Sequence, residues 1–113
     1  MKTRAGLLSL ILCAVFLAAA CEKTTIGRIE SNPTRYLDKQ VGIVGRVTNS
    51  FGVPFVGGVY KVDDGTGEIW VVSQRSVPSK GARIGVKGRV QNGVTFSGRN
   101  YGLGMIEEGR QTK

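Results

Sequence analysis

One ten-residue pattern occurs twice, and it constrains the fold more than any other feature of the chain. Residues 41–50 align with residues 84–93, with identical pairs at Gly42/Gly85, Gly45/Gly88, Arg46/Arg89, Val47/Val90 and Asn49/Asn92. In the first copy Val41, Ile43, Gly45 and Val47 fall on one face, and Gly42, Val44, Arg46 and Thr48 on the other. A period of two is the signature of a strand. A glycine within the strand marks a place where the sheet coils sharply. Two copies are too few for a solenoid. They describe two strands under the same demands: an apolar inner face, a glycine at the bend and a basic residue outside.

The remaining punctuation extends this into an all-β domain. Residues 59–63 read as a second strand, with Tyr60 and Val62 on one side and Lys61 on the other. Asp64-Gly65-Thr66-Gly67 is a hairpin signal. Residues 68–73 form a third strand, with Ile69 and Val71 facing one way and Trp70 and Val72 the other. The fourth is predicted over 83–91, and a fifth somewhere in 94–106. Residues 49–58 read as a long turn, and 74–82, with Pro78 and Gly81, as a loop. The chain holds 17 Gly against 3 Pro, which favours tight turns and coiled strands over helices. Upstream, residues 25–39 read as short helical turns. Thr25 is placed to cap Ile26 and Ile29, and Asn32-Pro33 opens a second turn with Tyr36 and Leu37 as its apolar face. The other reading of this stretch is an irregular tether.

Five short strands, a long first loop and glycine-marked bends suggest a small closed barrel. Two segments sharpen this. Residues 60–71, from Tyr60 through Asp63-Asp64-Gly65-Thr66-Gly67 to Trp70-Val71, resemble strands two and three of OB-fold domains of the tRNA-anticodon-binding-like kind. Residues 78–90 are similar to their approach to strand four, and residues 32–41 to the lead-in of small bacterial OB-fold lipoproteins. The resemblance implies a five-stranded Greek-key OB-fold barrel, strand four beside strand one, and a ligand face on strands two and three. The loop at 74–82 leaves no room for the helix that many OB-folds place there.

The alternation turns Arg46, Lys61, Trp70, Lys87 and Arg89 outward. Cations that track phosphates and a flat ring that stacks on bases are what single-strand binding requires. The alternatives are a solvated face for the cations and packing against the N-terminal turns for Trp70. Phe51 and Phe55 lie in the first long loop, where they suit a protein partner as well as a nucleic acid. Arg99 and Tyr101 either join this rim or serve as ordinary strand residues. Asp63, Asp64 and Glu68 are expected to satisfy backbone donors rather than a cation, and Glu107-Glu108 to be a solvated strand end. No metal or cofactor is expected. With no His in the chain, imidazole catalysis and the Ser-His-Asp triad are excluded, so the expectation is a binding protein rather than an enzyme.

The N-terminus speaks to location. Lys2 and Arg4 precede a short apolar run, and Ala18-Ala19-Ala20 leads directly into Cys21. The run is too short for a typical membrane span. The arrangement resembles a lipobox, which implies a signal peptide over 1–20 and a lipid on Cys21. Ala18 stands where a Leu is usual, and ordinary cleavage would instead leave Cys21 a free thiol. Glu22, rather than Asp, favours the outer membrane facing the periplasm. The chain thus divides into 1–20 signal, 21–39 lipidated N-terminus, tether and helical turns, 40–108 barrel, and 109–113 tail. Removing Lys2 and Arg4 from the net charge of +8 leaves +6. Such a surface attracts anionic polymers, so the partners to weigh are the membrane through Cys21, single-stranded nucleic acid, and an envelope protein or anionic glycan.

Overall fold

The computed structural model describes residues 21–113, so the expected signal peptide lies outside the described residues. Short helices are marginal in water, and those that follow Cys21 stand on caps and packing. β1 (Glu22–Lys23) precedes α1 (Ile26–Ser31). Thr25 caps α1, its hydroxyl accepting from the Arg28 N–H at 3.3 Å. The Ile26 N–H donates to Asp64 Oδ2 at 2.8 Å, and the Gly27 N–H to Thr66 Oγ1 at 2.9 Å. α2 (Pro33–Tyr36) starts on its proline. Ile26, Ile29 and Tyr36 are buried in the core. Residues 21–39 therefore contain the expected helical turns but no loose tether, because three apolar anchors and the turn at Asp64 and Thr66 hold them to the barrel.

Five strands close that barrel: β2 (Gln40–Val53), β3 (Gly57–Asp63), β4 (Glu68–Ser73), β5 (Arg83–Gln91) and β8 (Gly104–Thr112). The order around the ring is β2-β3-β4-β8-β5, and β5 pairs back onto β2. Within the ring all pairings are antiparallel except β4–β8, and β1 adds to β2 in parallel. This is the OB-fold order, with the fourth barrel strand beside the first. Ile43, Val47, Tyr60, Val62, Ile69, Val71, Val86 and Val90 fill the interior as the alternation predicts. The stretch 74–82 is a loop, with Val77 and Ala82 against the core.

Three boundaries differ from the sequence reading. Residues 49–58 are mostly strand, and the turn is only Pro54 to Val56, with Phe55 at φ 65°. The cause is a bulge: Val47 pairs with Val62 but Asn49 with Lys61, so Thr48 is an extra residue and the alternation shifts phase. A periodicity scan loses the strand at that point. Next, residues 94–103 carry a separate small hairpin, β6 (Thr95–Phe96) with β7 (Arg99–Asn100). Ser97 and Gly98 both have positive φ, the geometry of a tight hairpin turn. Finally, the last barrel strand runs to Thr112, past the expected end at 108. Its final residues lack apolar alternation, and backbone pairing with β5 holds them.

Glu107 is no solvated strand end. Its side chain is 4% exposed. It accepts from the Tyr60 hydroxyl at 2.5 Å, the Ser73 hydroxyl at 2.8 Å and Arg110 Nη1 at 2.8 Å. A buried carboxylate needs such partners, and Arg110, on the strand end that reads as a polar tail, supplies the countercharge. Glu108 does face outward, beside Gln40 and Arg89.

Candidate nucleic-acid interface

The bulge at Thr48 decides which β2 side chains reach the outer face of β3 and β4. Beyond it, Asn49 stands opposite Lys61, and Lys61 opposite Trp70. The next row is Phe51, Val59 and Val72. The β6–β7 hairpin then brings Arg99 and Tyr101 against this surface. The Tyr101 ring lies 4.9 Å from that of Trp70, tilted by 52°. Lys61 Nζ sits 5.4 Å from the centre of the Trp70 ring, and the Arg99 guanidinium 5.0 Å from that of Tyr101. Each ring thus has a cation over it at cation–π distance.

Two open depressions meet at this pair of rings. One, of about 550 Å³, runs between Lys61, Glu68 and Glu30 toward Leu103. The other, of about 310 Å³, runs past Asn49, Ser50 and Phe51 to Arg99, with Val59 in its lining. Val59 lies on the outer side of the sheet yet is only 1% exposed. Together the two form a groove across β3 and β4, flanked by the first long hairpin and by the connection before the last strand. Its ends differ in charge. Lys61 pairs with Glu68 at 2.9 Å, and Glu30, whose Oε1 accepts the Glu68 N–H at 3.1 Å, adds a second carboxylate, so that end carries a net negative charge. Arg99 has no carboxylate partner among the described residues, which leaves the other end cationic.

The hairpin of Asp63, Asp64 and Glu68 does structural work. Asp64 accepts from Ile26, from the Thr66 N–H and from the Thr66 hydroxyl. Burial pushes its carboxyl up, but the bonds from Thr66, Ile26 and Gly67 outweigh this and hold its pKa below the usual value.

The outward residues do not form one stripe. Lys61, Trp70, Phe51, Arg99 and Tyr101 converge on the groove. Arg46, Lys87 and Arg89 lie on the other side, along β2 and β5. Arg46 donates to the Gly81 carbonyl at 2.8 Å, and Arg89 pairs with Glu108 at 3.4 Å. Phe55 occupies the tip of the β2–β3 hairpin, fully exposed and outside the groove lining. Trp70 is half-buried, with the Tyr101 ring beside its own and Glu30 of α1 in the same depression. Asn49, Ser50, Glu30 and Leu103 were not legible as groove residues: the first two follow the bulge, and the others arrive from distant segments.

No protein-family model and no curated protein matches the sequence. Solved structures do. An aspartyl-tRNA synthetase from Leishmania major Friedlin superposes with a TM-score of 0.61 at 14% identity, over 80% of this chain and 20% of that one. The fold is an OB-fold. An Entamoeba histolytica asparaginyl-tRNA synthetase gives a TM-score of 0.56 at 13% identity, over 67% of this chain and 21% of that one. A replication protein A heterotrimer bound to single-stranded DNA gives 0.50 at 21% identity, over 66% of this chain and 57% of that one. This OB-fold spans about a fifth of each synthetase chain. At these identities the likeness is one of architecture.

Proposed function

We propose that this protein is a non-enzymatic, membrane-anchored OB-fold that binds single-stranded nucleic acid in the groove around Trp70 and Tyr101. The observation that carries the reading is the pair of rings 4.9 Å apart on the outer face of β4, each with a cation above it, in an open groove. Flat rings accept any base, and nearby cations track the backbone. The architecture supports it too, since this face and its two flanking loops form the usual OB-fold ligand surface. The test is titration of oligonucleotides into lipid-free protein while the lone Trp is followed by fluorescence. Saturable binding that changes Trp70 emission is the expected result, and no binding at low salt removes the reading.

The anchor is proposed on Cys21, in the outer membrane facing the periplasm, from the Ala18-Ala19-Ala20-Cys21 sequence. Wild type should enter the detergent phase and Cys21→Ser should not.

A second reading, docking of an envelope protein or anionic glycan, is favoured by the hairpin tip, where Phe55 and Val56 are both exposed. Capture of a partner that Phe55→Ser abolishes, without oligonucleotide binding, would put this reading first.

A further inference from the structure

The cations that the groove leaves out form a surface of their own. On the outer side of the β2–β5 pair, Gly42 stands opposite Lys87, Val44 opposite Gly85, and Arg46 opposite Arg83. Lys23 enters from β1 in register with Gly42, and the Lys113 side chain lies over Gly85. Lys23, Arg46, Arg83, Lys87 and Lys113 are all exposed, and none has a carboxylate partner among the described residues. The Glu108 carboxylate at the edge is already paired with Arg89. Like charges directly opposite one another, as at Arg46 and Arg83, destabilise a sheet, and Asp63, opposite Arg46 on β3, forms no ion pair with it. An external anionic surface would relieve that repulsion.

The Cys21 sulfur opens onto this same face. A Cβ placed on Gly42 would lie 3.7 Å from Cys21 Sγ and 3.9 Å from Lys23 Cγ, so both side chains lean across the glycine. Between the cations lie Gly42, Val44 and Gly85, with no aromatic ring for a base to stack on. That argues against a nucleic acid here. The groove is placed elsewhere: β4 alone among the five barrel strands pairs with neither β2 nor β5.

We infer that the cationic β2–β5 face is a docking surface for an anionic lipid bilayer, holding the barrel flat on the membrane with the Trp70 groove turned away. The orientation rests on the anchor reading, but the charge-driven contact does not. Each basic residue close to an anionic membrane strengthens binding roughly fivefold, about 1 kcal/mol. Five of them suffice for lipid-free protein to bind measurably.

The closed barrel is complete within residues 21–113, so that segment carrying Cys21→Ser is the lipid-free probe. It should sediment with vesicles of equal phosphatidylglycerol and phosphatidylcholine, and not with phosphatidylcholine alone. Lys23→Gln with Lys87→Gln should lower partitioning roughly 25-fold. Arg28→Gln with Arg75→Gln, matched in charge but on α1 and in the 74–82 loop rather than on β1, β2 or β5, should have little effect. Brominated lipids should leave Trp70 emission unquenched. Equal losses from both double variants would reduce the effect to net charge and overturn the assignment. So would quenching of Trp70, or an equal loss of oligonucleotide affinity in the Lys23/Lys87 variant. Vesicle binding without any oligonucleotide binding would instead remove the groove reading and leave the docking face standing.

Discussion

Ile43 lies directly opposite Val86 in the β2–β5 ladder, and the two hold the same position in the repeated ten-residue segment. The neighbouring pairs follow the same symmetry: Gly42 with Lys87 and Val44 with Gly85, then Val41 with Gly88 and Gly45 with Ile84. The repeat thus folds into a local two-fold pair centred on Ile43 and Val86. At its second glycine each copy lies against the backbone of a different neighbour, β3 at Gly45 and β8 at Gly88.

Those two glycines are predicted to tolerate no side chain. A Cβ on Gly45 would come 2.6 Å from the Asp63 carbonyl oxygen, and one on Gly88 would overlap that of Ile106. Backbone cannot yield as a flexible side chain does. Gly45→Ala and Gly88→Ala should each cost about 1–3 kcal/mol in denaturant unfolding, the range for overpacking. Gly109→Ala, with open space around it, should stay within about 0.5 kcal/mol. Equal effects at all three positions would contradict this close approach of neighbouring backbone at Gly45 and Gly88.

Tyr60 should make the barrel sensitive to alkali. Burial first, then the Glu107 carboxylate, push its phenol well above the ordinary value, with Arg110 offsetting part of this. The unfolded chain gives up that proton near pH 10. The contribution is therefore complete below about pH 10 and is lost as pH rises above it. Part of the tyrosinate absorbance should appear only together with loss of the barrel's circular dichroism signal, and Tyr60→Phe should remove that part. The same substitution should cost about 1.5–3 kcal/mol, the worth of a hydrogen bond to a charged group. Identical absorbance curves for the two proteins would argue against the network.

Asp64 should act in the opposite direction, at the acid end. Its carboxyl is held below the usual value by bonds to α1 and to its own turn. Its stabilisation is thus present above the unfolded carboxylate range and is lost as pH falls through the lower folded value. Hydrogen-exchange protection at Ile26 and Gly27, relative to the intrinsic rate at each pH, should fall below about pH 4 before the barrel opens. Asp64→Asn should speed exchange at neutral pH and cost about 1 kcal/mol, as for loss of a helix cap.

Most of the barrel was legible because burial imposes a period on each strand, and the repeat marked the two strands that meet. What escaped reading shares one cause: the deciding contact lies far along the chain. Thr48 as a bulge is visible only through its pairing across to β3. The strand past Glu108 is polar and is fixed by β5 and by Arg110 reaching Glu107. The outward phase of Lys61, Trp70, Lys87 and Arg89 was readable, but alternation gives only inside or outside. It does not say which side of a closed ring a residue occupies, so one expected stripe resolves into two surfaces.

That division yields the sharpest expectation for the groove. If bases stack on Trp70 and Tyr101, Trp70→Ala should cost about 1–3 kcal/mol of oligonucleotide affinity, and Tyr101→Ala a similar amount. Trp70→Phe keeps a flat ring and should retain most of it. Arg99 acts as charge, so Arg99→Gln should weaken all sequences alike and flatten the log–log salt dependence by about 0.7 for each phosphate it no longer neutralises. Lys61 is already paired with Glu68 at 2.9 Å, so Lys61→Gln should change the salt dependence less than Arg99→Gln does. Arg89, paired with Glu108 on the far side of the barrel, should leave both affinity and slope unchanged when replaced by Gln. A salt slope that follows Arg89 rather than Arg99 would move the nucleic acid off β4 and onto the β2–β5 face.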